Sequence, residues 1–340
     1  MNAGPSYNTA TDSRSWPAKL ARYHRPSITR SALEVLVTVV PFVALWLLTA
    51  LAVVNGHWWG LALTVPAAGL LVRLFILQHD CGHGSLFPSR RANDWTGRAL
   101  GVLTLTPYDY WRRTHAVHHA TAGNLDKRGI GDVRTLTVAE YQALPWSGRA
   151  RYRLYRHPLV MFGLGPAWLF ICQHRLPIGL MRAGVQPWAS TLATSAGAAL
   201  PTIGLMWWIG VGPFLWVQLP ITLMAATAGV WLFYVQHQFD DTHWSRGPDW
   251  NFQHAALHGS SHYDLPWALR WFSGNIGIHH VHHLSSKVPF YRLPEVLEDH
   301  PELRDIGRVT LRESLRGVRL VLWDERAKRL VSFREAQAAA

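Results

Sequence analysis

The stretch "SALEVLVTVVPFVALWLLTALAVVNGHWWGLALTVPAAGLLVRLFILQHDCGH", residues 31–83, holds two long apolar runs, a three-residue break and a closing histidine pair. The runs, 31–54 and 58–77, each approach the roughly 20 apolar residues that a helix needs to cross about 30 Å of bilayer hydrocarbon. Two more runs follow far downstream, 189–209 and 213–235, divided by "GVG" as the first two are divided by "NGH". Helices that are apolar on every face belong in a lipid or a deep protein interior, not at a water surface. The expected fold is therefore all-α and integral to the membrane, with four transmembrane helices in two hairpins. A very hydrophobic soluble bundle is the competing reading, and four runs of this length argue against it.

A hairpin starts and finishes on one side, so the segments 1–30, 78–188 and 236–340 share one face of the membrane. Arg14, Lys19, Arg22, Arg25 and Arg30 precede the first run, and the middle segment is rich in arginine, especially from Arg149 to Arg156. Short flanking loops that carry Lys and Arg stay in the cytoplasm, which places both termini and the middle segment there. The formal net charge of +12 then has an ordinary partner in anionic lipid headgroups. Nucleic acid is the rival partner of a basic chain, but no motif for it accompanies the charge, and it is not expected to bind. Cys81 and Cys172 lie in no CxxC pattern, and a reducing compartment disfavours a disulfide. The order of a cleaved signal peptide is absent from the N-terminus. Without repeats or a low-complexity linker, the chain reads as one domain, 1–340.

Three histidine clusters lie outside the runs: "HDCGH" at 79–83, "HAVHH" at 115–119 and "HHVHH" at 279–283. His79 and His83 stand at i and i+4, on one helix face. His115, His118 and His119 stand at i, i+3 and i+4, and His279, His282 and His283 repeat that spacing. Three helical faces can thus bring eight imidazoles together. Neutral imidazole suits Zn, Cu, Fe and Ni, whereas Mg and Ca prefer oxygen. Eight nitrogens exceed the needs of one tetrahedral zinc and suit two metals with positions left open. A redox pair of metals is the economical reading, with histidines where soluble di-iron bundles use carboxylates.

The boxes and their flanks, "QHDCGHGSLFPS", "TPYDYWRRTHAVHHATAGNLDKRGIGDVRTLTVAEY", "VQHQFDD" and "GNIGIHHVHHLSSKVPFYRLPE", resemble the membrane fatty acid desaturases, in particular the acyl-lipid branch with omega-6 (delta-12) and related bacterial enzymes. The resemblance covers most of residues 74–300. The arginine that follows each first-box histidine in acyl-CoA delta-9 enzymes is missing here, as are the glutamate-bearing boxes of alkane hydroxylases. Membership implies a cytoplasmic helical cap over a di-iron site, O₂ as co-substrate, an acyl-lipid substrate and a cis double bond as product. It also implies a ninth ligand at His237, so that the expected set is His79, His83, His115, His118, His119, His237, His279, His282 and His283. No donor domain is recognisable in the chain, so electrons must come from a separate protein, ferredoxin or cytochrome b5-like, acidic enough to suit a basic surface. The bacterial look of the boxes points to the plasma membrane.

A lipid or carotenoid hydroxylase or ketolase would use the same metal site, and spacing does not separate it from a desaturase. A metal-handling or transport protein is a reading of another class. Transporters place polar groups near the bilayer midplane, whereas these runs are nearly free of charge. Asp80, Asp109 and Asn275 flank the boxes and are candidates to accept imidazole N–H groups. His280, out of phase with its neighbours, is expected to be a supporting or solvent-facing residue. His254, His258 and His262 recur every four residues but are read as a polar surface. Arg73, inside the second run, is expected to snorkel to the interface. "FGLGPAWLFI", 162–171, is too short to span and should lie in the interface.

Overall fold

The computed structural model describes residues 16–338. Helix α1 (Ile28–Val54) opens at Ser27, whose hydroxyl accepts the Arg30 N–H at 3.3 Å, meeting one of the unpaired donors of a helix start. After a 3₁₀ stretch, Trp58–Leu63, helix α2 (Thr64–His83) runs without a break through the first histidine box. It stops at Gly84, where φ is +65° and the N–H turns back to the Asp80 and Cys81 carbonyls. Glycine takes that left-handed geometry without a steric penalty.

The cap side carries α3 (Arg90–Leu103), α4 (Tyr108–Thr121) and α5 (Trp146–Tyr155). The second hairpin is α6 (Val185–Ile209) and α7 (Val211–His237), joined at Gly210 with φ +89°. The cap also includes several short helices, among them α8 (His279–Leu284) and α9 (Leu311–Gly317). Four helical stretches, 28–54, 58–83, 185–209 and 211–237, are long and apolar enough to span a bilayer, and the protein is an all-α membrane protein. Each is longer than its apolar run, because helix continues through polar end turns.

The cap also contains two small sheets that hydropathy did not reveal. Strand β1 (Leu136–Thr137) pairs in parallel with β4 (Leu322–Asp324), which pairs antiparallel with β5 (Arg329–Val331). Strand β2 (His262–Asp264) runs parallel to β3 (Arg308–Thr310). Strands of two or three residues are too short to show a period of two.

Helix α2 is the axis of the fold, packed against α1, α3 and α7, with Leu74 and Leu77 fully buried. Between spans, lipid is as apolar as leucine, so association depends on close fit and polar pairs. Gly97 of α3 illustrates the fit: a Cβ there would overlap the Tyr108 ring. That approach seats the start of α4, and the Tyr108 hydroxyl donates to the Cys81 carbonyl at 2.8 Å, tying the second box to the first.

Arg73 does not snorkel. It is 3% exposed and pairs with Glu34 of α1 at 2.5 Å. Its other donors reach Thr38 Oγ1 at 3.2 Å and the Trp271 carbonyl, and the guanidinium lies 4.3 Å over the Trp271 ring. Glu34 gives the arginine a buried counter-charge across the hairpin, so it has no need of the interface. The 160–172 segment leans on α7: Thr227 donates to the Phe162 carbonyl at 2.7 Å, and Phe162 meets Trp231 edge-on. Leu164 and Trp168 on it are exposed. Both cysteines are free, Cys81 buried and Cys172 exposed.

Candidate metal centre

Box one is the last turn of α2, box two the last half of α4, box three the whole of α8, and His237 the last residue of α7. Four helix ends therefore meet just beyond the apolar spans. The nine histidines fall into two groups, His79, His83, His115, His119 and His282 in one and His118, His237, His279 and His283 in the other. Within each group the ligand nitrogens lie within 4.8 Å of one another.

The division follows from helix geometry. In box two the i, i+4 pair, His115 and His119, joins the first group, while His118 is rotated into the second. Box three does the reverse: His279 and His283 enter the second group and His282 the first. Two boxes of one spacing thus interlock, each giving two rings to one group and one to the other. His119 and His283 stack at the seam, centroids 4.1 Å apart and 12° from parallel.

Protonation decides what such a cluster can hold. Burial, followed by the crowding of other imidazoles, keeps His115, His119, His279, His282 and His283 well below the usual 6.5, so these rings are neutral at pH 7. His118 Nδ1 bonds the Asp132 carboxylate, and His237 Nδ1 bonds the Gly259 carbonyl at 3.1 Å. Both acceptors require an N–H at Nδ1, and a ring whose single N–H is at Nδ1 presents Nε2 as a lone pair. The two Nε2 atoms face each other at 3.1 Å. Similar Nε2 pairs join His279 to His237 at 3.1 Å, His115 to His119 at 3.1 Å and His282 to His119 at 3.2 Å. Buried polar nitrogens on His83, His279, His282 and His283 have no partner.

Opposed lone pairs repel unless a cation lies between them. Two nitrogens each about 2.1 Å from one cation, at near-right angles, stand about 3.0 Å apart. The spacings here fit that arrangement, and the histidine groups can hold metal. Neither group contains a carboxylate, so the donor set favours a borderline metal over Mg or Ca.

The supporting contacts differ in part from those expected. Asp80 does reach His79 Nδ1, at 3.5 Å, and its other oxygen accepts the Phe290 N–H at 2.7 Å, joining box one to the loop after box three. Asp109 instead pairs with Arg98 at 2.9 Å and lies near Arg112, because it sits in the first turn of α4, well ahead of the box. Asn275, with φ +54°, donates to the Phe290 carbonyl at 3.2 Å and shapes the loop. Asp132 and the Gly259 carbonyl were not anticipated. Both come from loops, where no periodicity links them to a box. Trp111, one turn before His115, stacks on its ring at 4.5 Å and 17°.

His280 is outside both groups, as expected of a non-ligand. It is not solvent-facing, however: it is fully buried, with Nε2 bonded to the Leu303 carbonyl at 2.9 Å. The 254–258–262 series is broken by a turn, since His262 lies in β2 and its Nδ1 donates to the Arg304 carbonyl at 2.6 Å. His254 touches both His258 and His243, and none of the three joins either group.

The sequence model of the fatty acid desaturase family matches residues 56–313, a span that contains all nine histidines. The chain is 45% identical over 318 residues to a fatty acid desaturase of Bacillus subtilis, covering 93% of this chain and 89% of that one. It is 31% identical to the sn-1 acyl-lipid omega-3 desaturase (ferredoxin) of Synechocystis, over 66% of this chain and 62% of the other. An acyl-lipid omega-3 desaturase (cytochrome b5) of the endoplasmic reticulum of Arabidopsis thaliana is 28% identical over 74% of this chain and 66% of its own length. With kinship that runs through every box and, in the bacillary relative, almost from end to end, the chain belongs to the fatty acid desaturase family of oxidoreductases.

Proposed function

We propose that this protein is an O₂-dependent acyl-lipid desaturase that places a cis double bond in the acyl chain of a membrane lipid. The observation that carries the reading is the two groups of histidines whose ring nitrogens converge at the ends of the membrane spans, in a chain of this family. His79, His83, His115, His119 and His282 would hold one iron, and His118, His237, His279 and His283 a second. When bound, the iron pair supplies the redox chemistry that couples O₂ to the removal of hydrogen from unactivated methylenes.

The balance is simple. Two hydrogens leave adjacent methylenes and one O₂ becomes two waters, so two electrons and two protons must be added from outside. The chain's residues contribute position and dryness. Asp132 and the Gly259 carbonyl fix the rings of His118 and His237 with lone pairs inward. Trp111 holds the His115 ring from its face. Burial of the boxes excludes water, which protects a reactive carbon centre from side reactions. The site lies where α2 and α7 leave the apolar layer, so a lipid chain can approach from the bilayer.

The external electrons are assigned to a separate ferredoxin or cytochrome b5-like protein. The Synechocystis and Arabidopsis relatives carry those two donors in their names. We assign the cap and both termini to the cytoplasm, and the chain, as one functional unit, to a bacterial plasma membrane. Arg22 and Arg25 ahead of α1 and Arg30 in its first turn support that orientation.

Expression in a host with a simple fatty acid pool, together with a competent donor, tests the reading by mass spectrometry of the fatty acids. A new unsaturated acid that vanishes with His282→Ala is the expected result. A hydroxylated product, or an unchanged profile with donor supplied, would overturn it.

A further inference from the structure

Arg156 is only 4% exposed, yet no carboxylate pairs with it among the described residues. Its terminal nitrogens donate to the Leu320 carbonyl at 2.8 Å and to Tyr234 and Gln238 at 3.1 Å each, with longer contacts to the Arg134 carbonyl and Thr135. These partners satisfy hydrogen bonds but leave the charge uncompensated, and its Nε is buried without a partner. Burying an unpaired charge is expensive. Arg73, the other deeply buried arginine among the described residues, has its glutamate.

Arg156 lines a groove of about 450 Å³ between α5 and α9, together with Arg153, His157, Leu315, Val318 and Arg319. No acidic side chain lines it. The Arg319 guanidinium is exposed and makes no ion pair among the described residues. Arg156, in the lining of the groove, bonds to Tyr234 and Gln238 on either side of His237 at the end of α7. The groove therefore opens where the span leaves the apolar layer. Leu154, Leu159 and Leu315 are exposed by 63%, 73% and 63%, on the segments that form its walls.

Cationic side chains beside exposed leucines, near the end of a span, match a lipid headgroup and its chains. We propose that this groove seats the phosphate of an anionic membrane phospholipid, with Arg153, Arg156 and Arg319 as counter-charges and Leu159 and Leu315 against the upper acyl chains. A phosphate diester supplies the negative charge that buried Arg156 lacks, and exposed Arg319 is free to donate to it directly. Because Arg156 braces Tyr234 and Gln238, an occupied groove also steadies the end of α7. The site is separate from the histidine groups and does not depend on which reaction they perform.

Native mass spectrometry of the full-length protein in neutral detergent tests this with short-chain phosphatidylglycerol, phosphatidylcholine of the same chains, and inorganic phosphate. Phosphatidylglycerol should be retained in preference to phosphatidylcholine. Arg319→Gln and Arg153→Gln should each weaken its binding by about fivefold, and Arg319→Lys should restore most of it. Arg319 has an exposed side chain, so its replacement should leave the size-exclusion profile and metal content unchanged. Equal retention of the two lipids, or no effect of the Arg319 change, would overturn the proposal. So would arginine-dependent binding of inorganic phosphate that phosphatidylglycerol does not displace, which would mark a small-anion site. Loss of donor-supported turnover in Arg319→Gln with lipid binding intact would assign the groove to an acidic protein instead.

Discussion

Replacing Glu34 by Gln would leave Arg73 charged, buried and without its carboxylate. The two groups are 4% and 3% exposed and 2.5 Å apart, so water cannot take over. Breaking a buried pair from one side costs about 3–5 kcal/mol. At about 2 °C per kcal/mol for a chain of this size, the apparent melting midpoint in detergent should fall by about 6–10 °C. The double change Glu34→Gln/Arg73→Met removes both charges and should recover part of that loss. Recovery stays incomplete because the Trp271 carbonyl, now held by Arg73, loses its donor, at about 1–3 kcal/mol. A midpoint within about 2 °C of wild type for the single change would refute the reasoning. It would mean that Arg73 reaches the interface after all.

Asp132→Asn keeps an acceptor for His118 Nδ1 but drops the charge, and chelator titration should show metal affinity about 10–100-fold weaker. Gly277→Ala places a methyl against the Tyr263 carbonyl inside contact distance, just ahead of box three. Metal analysis and thermal unfolding should both show losses, with a destabilisation above about 2 kcal/mol. His258 is pushed down to about 4, chiefly by burial and then by His254 and His243. Its neutral form is thus favoured in the fold, and its contribution is complete above the unfolded value of 6.5. Stability falls as pH drops from 6.5 towards 4, where only the unfolded chain takes up the proton. His258→Gln should make the fall of the melting midpoint across that window shallower by one histidine's share, the other buried histidines keeping theirs.

Periodicity and length carried much of this architecture into the sequence. An apolar run of twenty residues has few fates, and the i, i+3, i+4 spacing of His115, His118 and His119 spreads three rings over about 100° of one helix face, enough for one to turn toward a second centre. The same spacing at His279, His282 and His283 therefore contained the interlocked pair of groups, although the spacing alone does not say which ring goes where. Partners supplied by loops were not legible. Asp132 meets His118 only because the 122–135 segment folds back over α4, and nothing local marks it. Arg73 was misjudged for a related reason: its partner, Glu34, is 39 residues away, on a helix whose rotation the sequence does not state. The two sheets were lost to their shortness.

The most direct test of the central claim is the iron content of the purified protein, in the wild type and in His115→Ala and His237→Ala. Two irons per chain are predicted, with each substitution lowering occupancy chiefly in its own group of histidines. A single metal per chain, or zinc retained in place of iron in an active preparation, would contradict the account.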